Sequence, residues 1–179
     1  MEALAHIVNF SIHIALVLLW AKWSRLDVGL RPPLVGAAWP WIALFSLWIG
    51  TERLIATIRP IEVDSEWIDW LQGLSFLEDF AYTVVLAPVF EELLFRGAMF
   101  AALLRRWGIW AATIVPSILW AALHVQYEAW YVVSIAGSGV VLAMARWRSG
   151  SLYVPLALHA AANLLDLLLG YLPSPAPPA

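Results

Sequence analysis

The sequence contains no cysteine and carries little charge. The absence of cysteine excludes a disulfide scaffold, a thiolate metal site and a cysteine nucleophile. Charged residues make up 13% of the 179 residues, whereas soluble domains carry about 25%. Hydrophobic residues reach 63% of the chain. A water-soluble globule is therefore excluded.

Basic residues are also scarce. Ten Lys and Arg residues stand against thirteen Asp and Glu residues, which gives a net charge of −3. The longest basic run is Arg105-Arg106. A nucleic-acid partner needs a basic patch or stripe, so this class of partner is excluded.

Long hydrophobic runs are what the chain has instead. A membrane-spanning helix needs about 20 mostly apolar residues. We predict an all-α, polytopic membrane helix bundle, with one transmembrane domain over residues 1–172 and a flexible, proline-rich tail at 173–179. Residues 51–72 carry several charges and are expected to form an interfacial loop or surface helix. The six predicted spans are 3–23, 34–50, 76–107, 111–125, 130–147 and 152–171.

The distribution of basic residues predicts the orientation. Cytoplasmic loops are enriched in Lys and Arg. Seven basic residues fall in the first, third and fifth loops and share one side: Lys22, Arg25, Arg31, Arg105, Arg106, Arg146 and Arg148. Only Arg53 and Arg59 are expected on the other side, in an acidic loop. Both termini are therefore predicted to be extracytoplasmic.

Three charged residues stand close together within the third predicted span. A charge inside a span is costly, so its default interpretation is functional. Glu92 and Arg96 are four residues apart, in the order that favours an ion pair on one helical face. Glu91 points about 100° away from Glu92 and has no partner within its own helix. Its carboxylate is thus available as a general base.

Two further spans carry polar residues. His124 lies near the end of the fourth predicted span, and His159 and Asn163 share a face of the sixth. Such residues also occur as interhelical contacts in membrane bundles. Here, however, three separate helices contribute them together with an unpaired glutamate.

These residue types suit the hydrolysis of an amide by activated water. Glu91, assisted by His124, could take a proton from water and pass it to the leaving amine. His159 and Asn163 could donate hydrogen bonds to the oxyanion. The rival chemistry is a Zn²⁺ site formed by Glu91, His124 and His159. The chain has no His-Glu-x-x-His helix, the strongest zinc-hydrolase signal.

The pattern Glu91-Glu-x-x-x-Arg96-Gly, Trp120-x-x-x-His124 and His159-x-x-x-Asn163 resembles the CPBP intramembrane proteases. This family includes the type II CAAX prenyl endopeptidases and the Abi, or glutamic-type, bacteriocin-processing and immunity proteins. The resemblance covers about residues 84–168.

The resemblance implies that Glu91 and His124 activate water and that His159 and Asn163 form the oxyanion hole. It also implies supporting roles for Glu92 and Arg96. The family is often labelled as metalloproteases, but the glutamate mechanism needs no metal cofactor, and we favour the glutamate mechanism. One departure is Trp120, where phenylalanine is commoner in the family. We expect this change to alter the shape of the pocket but not the chemistry.

The expected partners are the lipid bilayer and a membrane-associated protein or peptide substrate. With the predicted orientation, the site lies in the extracytoplasmic half of a bacterial cytoplasmic membrane. This placement favours removal of C-terminal sorting segments from exported proteins, as in sortase-like members of the family.

Three alternatives stay open. The first is a CAAX prenyl endopeptidase acting on a cytosolic tail. The second is a non-catalytic immunity or scaffold protein that keeps the polar cluster for shape. The third is a serine protease using Ser138 with His159, although the trio Gly137-Ser138-Gly139 is more typical of close helix packing.

Overall fold

A computed structural model describes residues 2–171, apart from the side chains at 2–7, 35, 68, 72 and 171. The predicted tail at 173–179 lies outside the described residues. The described part is all-α, as predicted, and its one strand-like feature is an isolated bridge between Val63 and Tyr127. The α-helices are α1 (Glu2–Trp23), α2 (Val35–Ile58), α3 (Ser65–Gln72), α4 (Phe76–Asp79), α5 (Ala87–Glu91), α6 (Phe100–Ala122), α7 (Ala129–Ser149) and α8 (Tyr153–Tyr171).

Several of these helices are long and apolar enough to cross a membrane. Among the described residues, the ranges that meet both criteria are Gly36–Ile58, Ala129–Ser149 and Tyr153–Gly170, and Val8–Trp23 is a shorter apolar helix. The predicted third and fourth spans form one helical run from α4 to the end of α6. This run breaks at Gly108, whose φ of 78° suits a residue without a Cβ. The break lies where the sequence predicts the loop between the two spans.

The prediction that the second span ends at residue 50 is wrong. Helix α2 continues to Ile58, so Glu52 and Arg53 lie inside the bundle and not in an interfacial loop. Arg53 forms an ion pair with Asp166 of α8 at 3.0 Å, and Glu52 accepts a hydrogen bond from Ser134 of α7. These partners from other helices compensate for removing the charges from water. The short helix α3 does occupy the remainder of the predicted interfacial segment.

Two π-helical segments flank α5 in the third crossing, at Phe80–Leu86 and Glu92–Met99. The N–H of Ala87 donates to the carbonyl of Tyr82, five residues back. The next residue, Pro88, has no N–H and cannot make the corresponding bond to Thr83. The Thr83 carbonyl is therefore open to a donor from another helix.

The segments that carry the seven basic residues meet at one end of the bundle, although Lys22, Arg105, Arg106, Arg146 and Arg148 lie on helices and not in the predicted loops. Leu34 N donates to Ser149 O at 2.9 Å, and Leu152 N donates to Gly29 O at 2.8 Å. Arg105 Nη1 donates to the carbonyl of Ser24 at 3.3 Å. The loops of the opposite end are joined by an ion pair of 3.0 Å between Arg59 and Glu128. The basic residues therefore share one end, as their positions in the sequence predict.

The small-residue trio of α7 lies at close helix contacts. A Cβ placed on Gly137 would lie 2.4 Å from the ring of Trp48 in α2. A Cβ on Gly139 would lie 3.0 Å from both Ser117 and the guanidinium of Arg96. The two glycines let α7 approach its neighbours, as small residues do in membrane bundles.

We expect Gly137→Ala to lower the free energy of unfolding by about 1–3 kcal/mol, because the added methyl overlaps the Trp48 ring. Gly50→Ala is the matched control, since a Cβ there meets nothing within 4 Å. Denaturation of both variants in detergent micelles measures the difference. Equal stability of the two variants would show that the Trp48 ring moves aside without cost.

Candidate active site

A cavity of about 770 Å³ lies between the helices, and Glu91, His124, His159 and Asn163 all line it. Glu91 is the last residue of α5, His124 follows the end of α6, and the other two lie on α8. Trp67 of α3 and Gln126 also line the cavity, which places its mouth at the end opposite the basic loops. The structure thus brings together the four residues singled out in the sequence.

Glu92 and Arg96 form a fully buried ion pair beneath the cavity. Arg96 Nη1 donates to Glu92 Oε1 at 2.8 Å, and both side chains are 0% exposed. The pair expected from the four-residue spacing is therefore confirmed. The same Glu92 oxygen lies 2.9 Å from His159 Nδ1. Because an ionised carboxylate only accepts, Nδ1 of His159 carries the proton.

His159 stands between the two glutamates. Its Nδ1 donates to Glu92, and its Nε2 lies 3.8 Å from Glu91 Oε2. The bond to Glu92 fixes the ring orientation, in the way that a carboxylate behind a histidine commonly does. Nε2 is therefore the nitrogen available to a reacting group in the cavity.

His124 lies beyond the end of its helix, because α6 ends at Ala122 and not at residue 125 as predicted. The backbone of Leu123 and His124 turns back, and His124 N donates to Ala121 O at 2.9 Å. His124 Nδ1 lies 2.8 Å from the carbonyl of Trp120, which also accepts from Leu123 N at 3.1 Å in the last turn of the helix. A carbonyl only accepts, so Nδ1 carries the proton and Nε2 of the neutral ring can accept one.

Asn163 is held by the irregular backbone of the third crossing. Its Nδ2 donates to the Thr83 carbonyl at 2.7 Å, the carbonyl that Pro88 leaves without a backbone donor. An amide nitrogen has two N–H groups. One is used in this bond, and the second is available to a ligand in the cavity.

Glu91 is partly buried, with 20% of its side chain exposed. The indole Nε1 of Trp120 donates to Glu91 Oε2 at 2.5 Å. The prediction that tryptophan at this position changes only the pocket shape is therefore incomplete. The tryptophan makes a polar contact with Glu91 that phenylalanine could not make.

Sequence reasoning missed a group of polar residues at the cavity. Asp166 lies in a hydrophobic helix, so the rule that selected Glu91 would also have selected it. Arg53 joins Asp166 to the hydroxyl of Tyr131, with a hydrogen bond of 3.0 Å to the latter. The polar cavity-lining residues in this group are Glu52, Arg53, Asp79, Tyr82, Tyr127, Tyr131 and Asp166.

The alternative zinc site does not fit the arrangement of the donors. In the part of the chain that the structure describes, no three His, Asp or Glu side chains are grouped closely enough to hold a metal ion. The bonds that His159 Nδ1 and His124 Nδ1 make to Glu92 and to a backbone carbonyl leave both Nε2 atoms open, so the misfit lies in the spacing of the donors and not in their occupancy. We therefore derive no step through a metal.

Ser138 lines the same cavity but is bonded within its own helix. Its hydroxyl donates to the carbonyl of Ile135 at 2.9 Å. A serine nucleophile instead needs its hydroxyl to donate to a base. The observed geometry does not favour the serine alternative.

Together these features define a polytopic helical membrane protein with a buried carboxylate and imidazole site. Residues 73–165 match the family described as type II CAAX prenyl endopeptidase Rce1-like. The match covers just over half of the chain, and the chain belongs to this family. It agrees with the resemblance seen in the motifs, and it indicates a CAAX-type intramembrane endopeptidase. No match is found among curated proteins, and none among solved structures.

Proposed function

We propose that this endopeptidase hydrolyses its substrate with water activated by Glu91 and His124, without a metal cofactor. The observation that carries the proposal is the meeting of Glu91, His124, His159 and Asn163 at one cavity. Glu91 is accessible from this cavity, whereas the adjacent Glu92 is fully buried and paired. Two neighbouring carboxylates thus have different environments, and only one can meet water.

The proposed reaction begins with attack of a water oxygen on the carbonyl carbon of the scissile amide. Glu91 takes the proton of this water, and Nε2 of His124 provides a second acceptor. The C–N bond then breaks, and Glu91 returns the proton to the leaving amine.

The charge that develops on the carbonyl oxygen needs hydrogen-bond donors. The free N–H of Asn163 Nδ2 is one, because the other is held by Thr83. Nε2 of His159, when protonated, is the second. The Thr83 carbonyl holds Asn163, and the Glu92 carboxylate holds His159. The two side chains therefore need not reorganise during the reaction.

The substrate follows from the proposed orientation. If the basic end of the bundle is cytoplasmic, the cavity opens on the extracytoplasmic side of a bacterial membrane. This supports cleavage of C-terminal sorting segments of exported proteins. A prenylated cytosolic tail is the second candidate, and it is favoured by the CAAX description of the family.

Comparative proteomics of membrane fractions tests the proposal, with cells that express the wild-type chain or Glu91→Gln. We expect exported proteins to keep their C-terminal segments in the variant and to lose them in the wild type. Accumulation of uncleaved cytosolic tails would favour the CAAX alternative. A biological effect that survives Glu91→Gln would instead favour a non-catalytic immunity or scaffold role.

Two further measurements test the finer parts of the proposal. Purified wild-type protein should keep its cleavage activity after exhaustive chelation. Loss of activity on chelation, with recovery on adding Zn²⁺, would contradict the metal-free mechanism. Reporter fusions that place the end of α7, at residues 146–149, outside the cytoplasm would reverse the orientation.

A further inference from the structure

Trp120 contacts four charged or titratable residues of the candidate site, namely Glu91, Arg96, His124 and His159. Its Nε1 donates to Glu91 Oε2 at 2.5 Å. Its ring meets the rings of His124 and His159 edge-on, each with centroids 5.2 Å apart. The guanidinium of Arg96 lies over the same ring at 4.2 Å from its centroid.

These contacts have two different physical origins. The contacts with Arg96 and the imidazoles depend on the aromatic ring, and a phenyl ring would keep part of them. The bond to Glu91 depends on the indole N–H alone, because phenylalanine has no donor. Hydrogen bonds to charged groups are also stronger than neutral ones. The N–H is therefore the feature that sets this residue apart from an aromatic packing residue.

The position of the bond matters for the proposed chemistry. Glu91 Oε2 is held between Nε1 of Trp120 and, at 3.8 Å, Nε2 of His159. Fixing Oε2 also fixes the plane of the carboxylate and the direction of Oε1. A general base needs its accepting oxygen within hydrogen-bond reach of the water.

We propose that Trp120 is a positioning residue, whose indole N–H holds the Glu91 carboxylate in the orientation that accepts a proton from the attacking water. This inference rests on the proposed function of Glu91 as the base. The N–H binds Oε2 and leaves Oε1 to take the proton. Trp120 itself forms no bond with the substrate in this scheme.

Kinetics of Trp120→Phe test the role. We expect kcat to fall about tenfold or more, because a small misplacement of a catalytic group is costly, while KM stays unchanged. Trp48→Phe is the matched control, since it also deletes an indole N–H bond, the one of 3.1 Å from Trp48 Nε1 to Ser134. An unchanged kcat in Trp120→Phe, or an equal fall in both variants, would overturn the proposal.

The indole N–H resonance of Trp120 provides a readout that does not depend on activity. In ¹⁵N-labelled protein in micelles, Trp120→Phe identifies the resonance, and Glu91→Ala should shift it strongly upfield. A resonance that does not respond to Glu91→Ala would show that the bond is absent and would overturn the inference. If the wild-type protein has no protease activity but its Trp120 resonance does respond to Glu91→Ala, the proposed function is contradicted and the contact is not.

Discussion

Glu91→Gln is expected to slow cleavage by about 10²–10⁴-fold, the usual contribution of a general acid–base group. Glutamine has nearly the same shape, and its amide oxygen can still accept the N–H of Trp120. It cannot take a proton from water, so the variant removes the chemistry and keeps the packing. Single-turnover cleavage of a transmembrane substrate in liposomes measures the loss, and thermal unfolding checks that the bundle is intact.

Glu66→Gln is the control for this prediction. Glu66 is an exposed acid at the first turn of α3, near the mouth of the cavity. The Glu66→Gln variant should cleave at the wild-type rate. Comparing it with Glu91→Gln separates the loss of a base from the loss of a negative charge near the substrate. Near wild-type activity in Glu91→Gln would contradict the glutamate mechanism. If Ser138→Ala were then inactive, the serine alternative would replace it.

Much of the candidate site could be predicted from the sequence because membrane bundles place polar residues so selectively. An intramembrane glutamate, histidine or asparagine is costly unless it faces the interior. The rule selected Glu91, His159 and Asn163, and all three line the cavity. The break between the third and fourth crossings was also predictable, since the polar and glycine-containing segment around Gly108 interrupts the apolar run.

The end of α2 could not be predicted because its charged residues have their partners far away in the sequence. Glu52 and Arg53 resemble the start of a loop in the sequence. Their partners lie on α7 and α8, and Arg53 is 113 positions away from Asp166. Periodicity within one segment carries no information about such pairs.

The π-helical segments were also beyond the sequence pattern. A period of 3.6 residues per turn predicts α-helix over residues 76–107, interrupted at Pro88. The structure instead has five-residue hydrogen bonds, such as that from Ala87 N to Tyr82 O. The consequence is the free Thr83 carbonyl that holds Asn163. Only the three-dimensional structure shows that Pro88, which has no N–H, leaves the Thr83 carbonyl open to Asn163.

Arg96→Ala is expected to lower the free energy of unfolding by about 3–5 kcal/mol, because it leaves Glu92 as an uncompensated buried charge. Both side chains are 0% exposed, and the ion pair has no access to water. His159 Nδ1 also bonds to Glu92 Oε1, so the loss would disturb the site as well as the bundle. Chemical denaturation in mixed micelles measures the change.

Arg31→Ala is the matched control for this charge deletion. Arg31 pairs with Asp27 at the same four-residue spacing and at 3.1 Å, but the side chains are 56% and 63% exposed. An exposed pair is worth about 0–1 kcal/mol, so this variant should lose little stability. Equal losses in the two variants would show that burial does not govern the cost.

The double variant Arg96→Ala with Glu92→Leu separates a stranded charge from lost packing. Removing both partners eliminates the buried carboxylate, and such replacements are often neutral or stabilising. We therefore expect the double variant to recover part of the stability lost in Arg96→Ala, while activity stays low because His159 loses its acceptor. A double variant no more stable than Arg96→Ala would show that the lost packing of Arg96, which includes its contact with the Trp120 ring, outweighs the stranded charge.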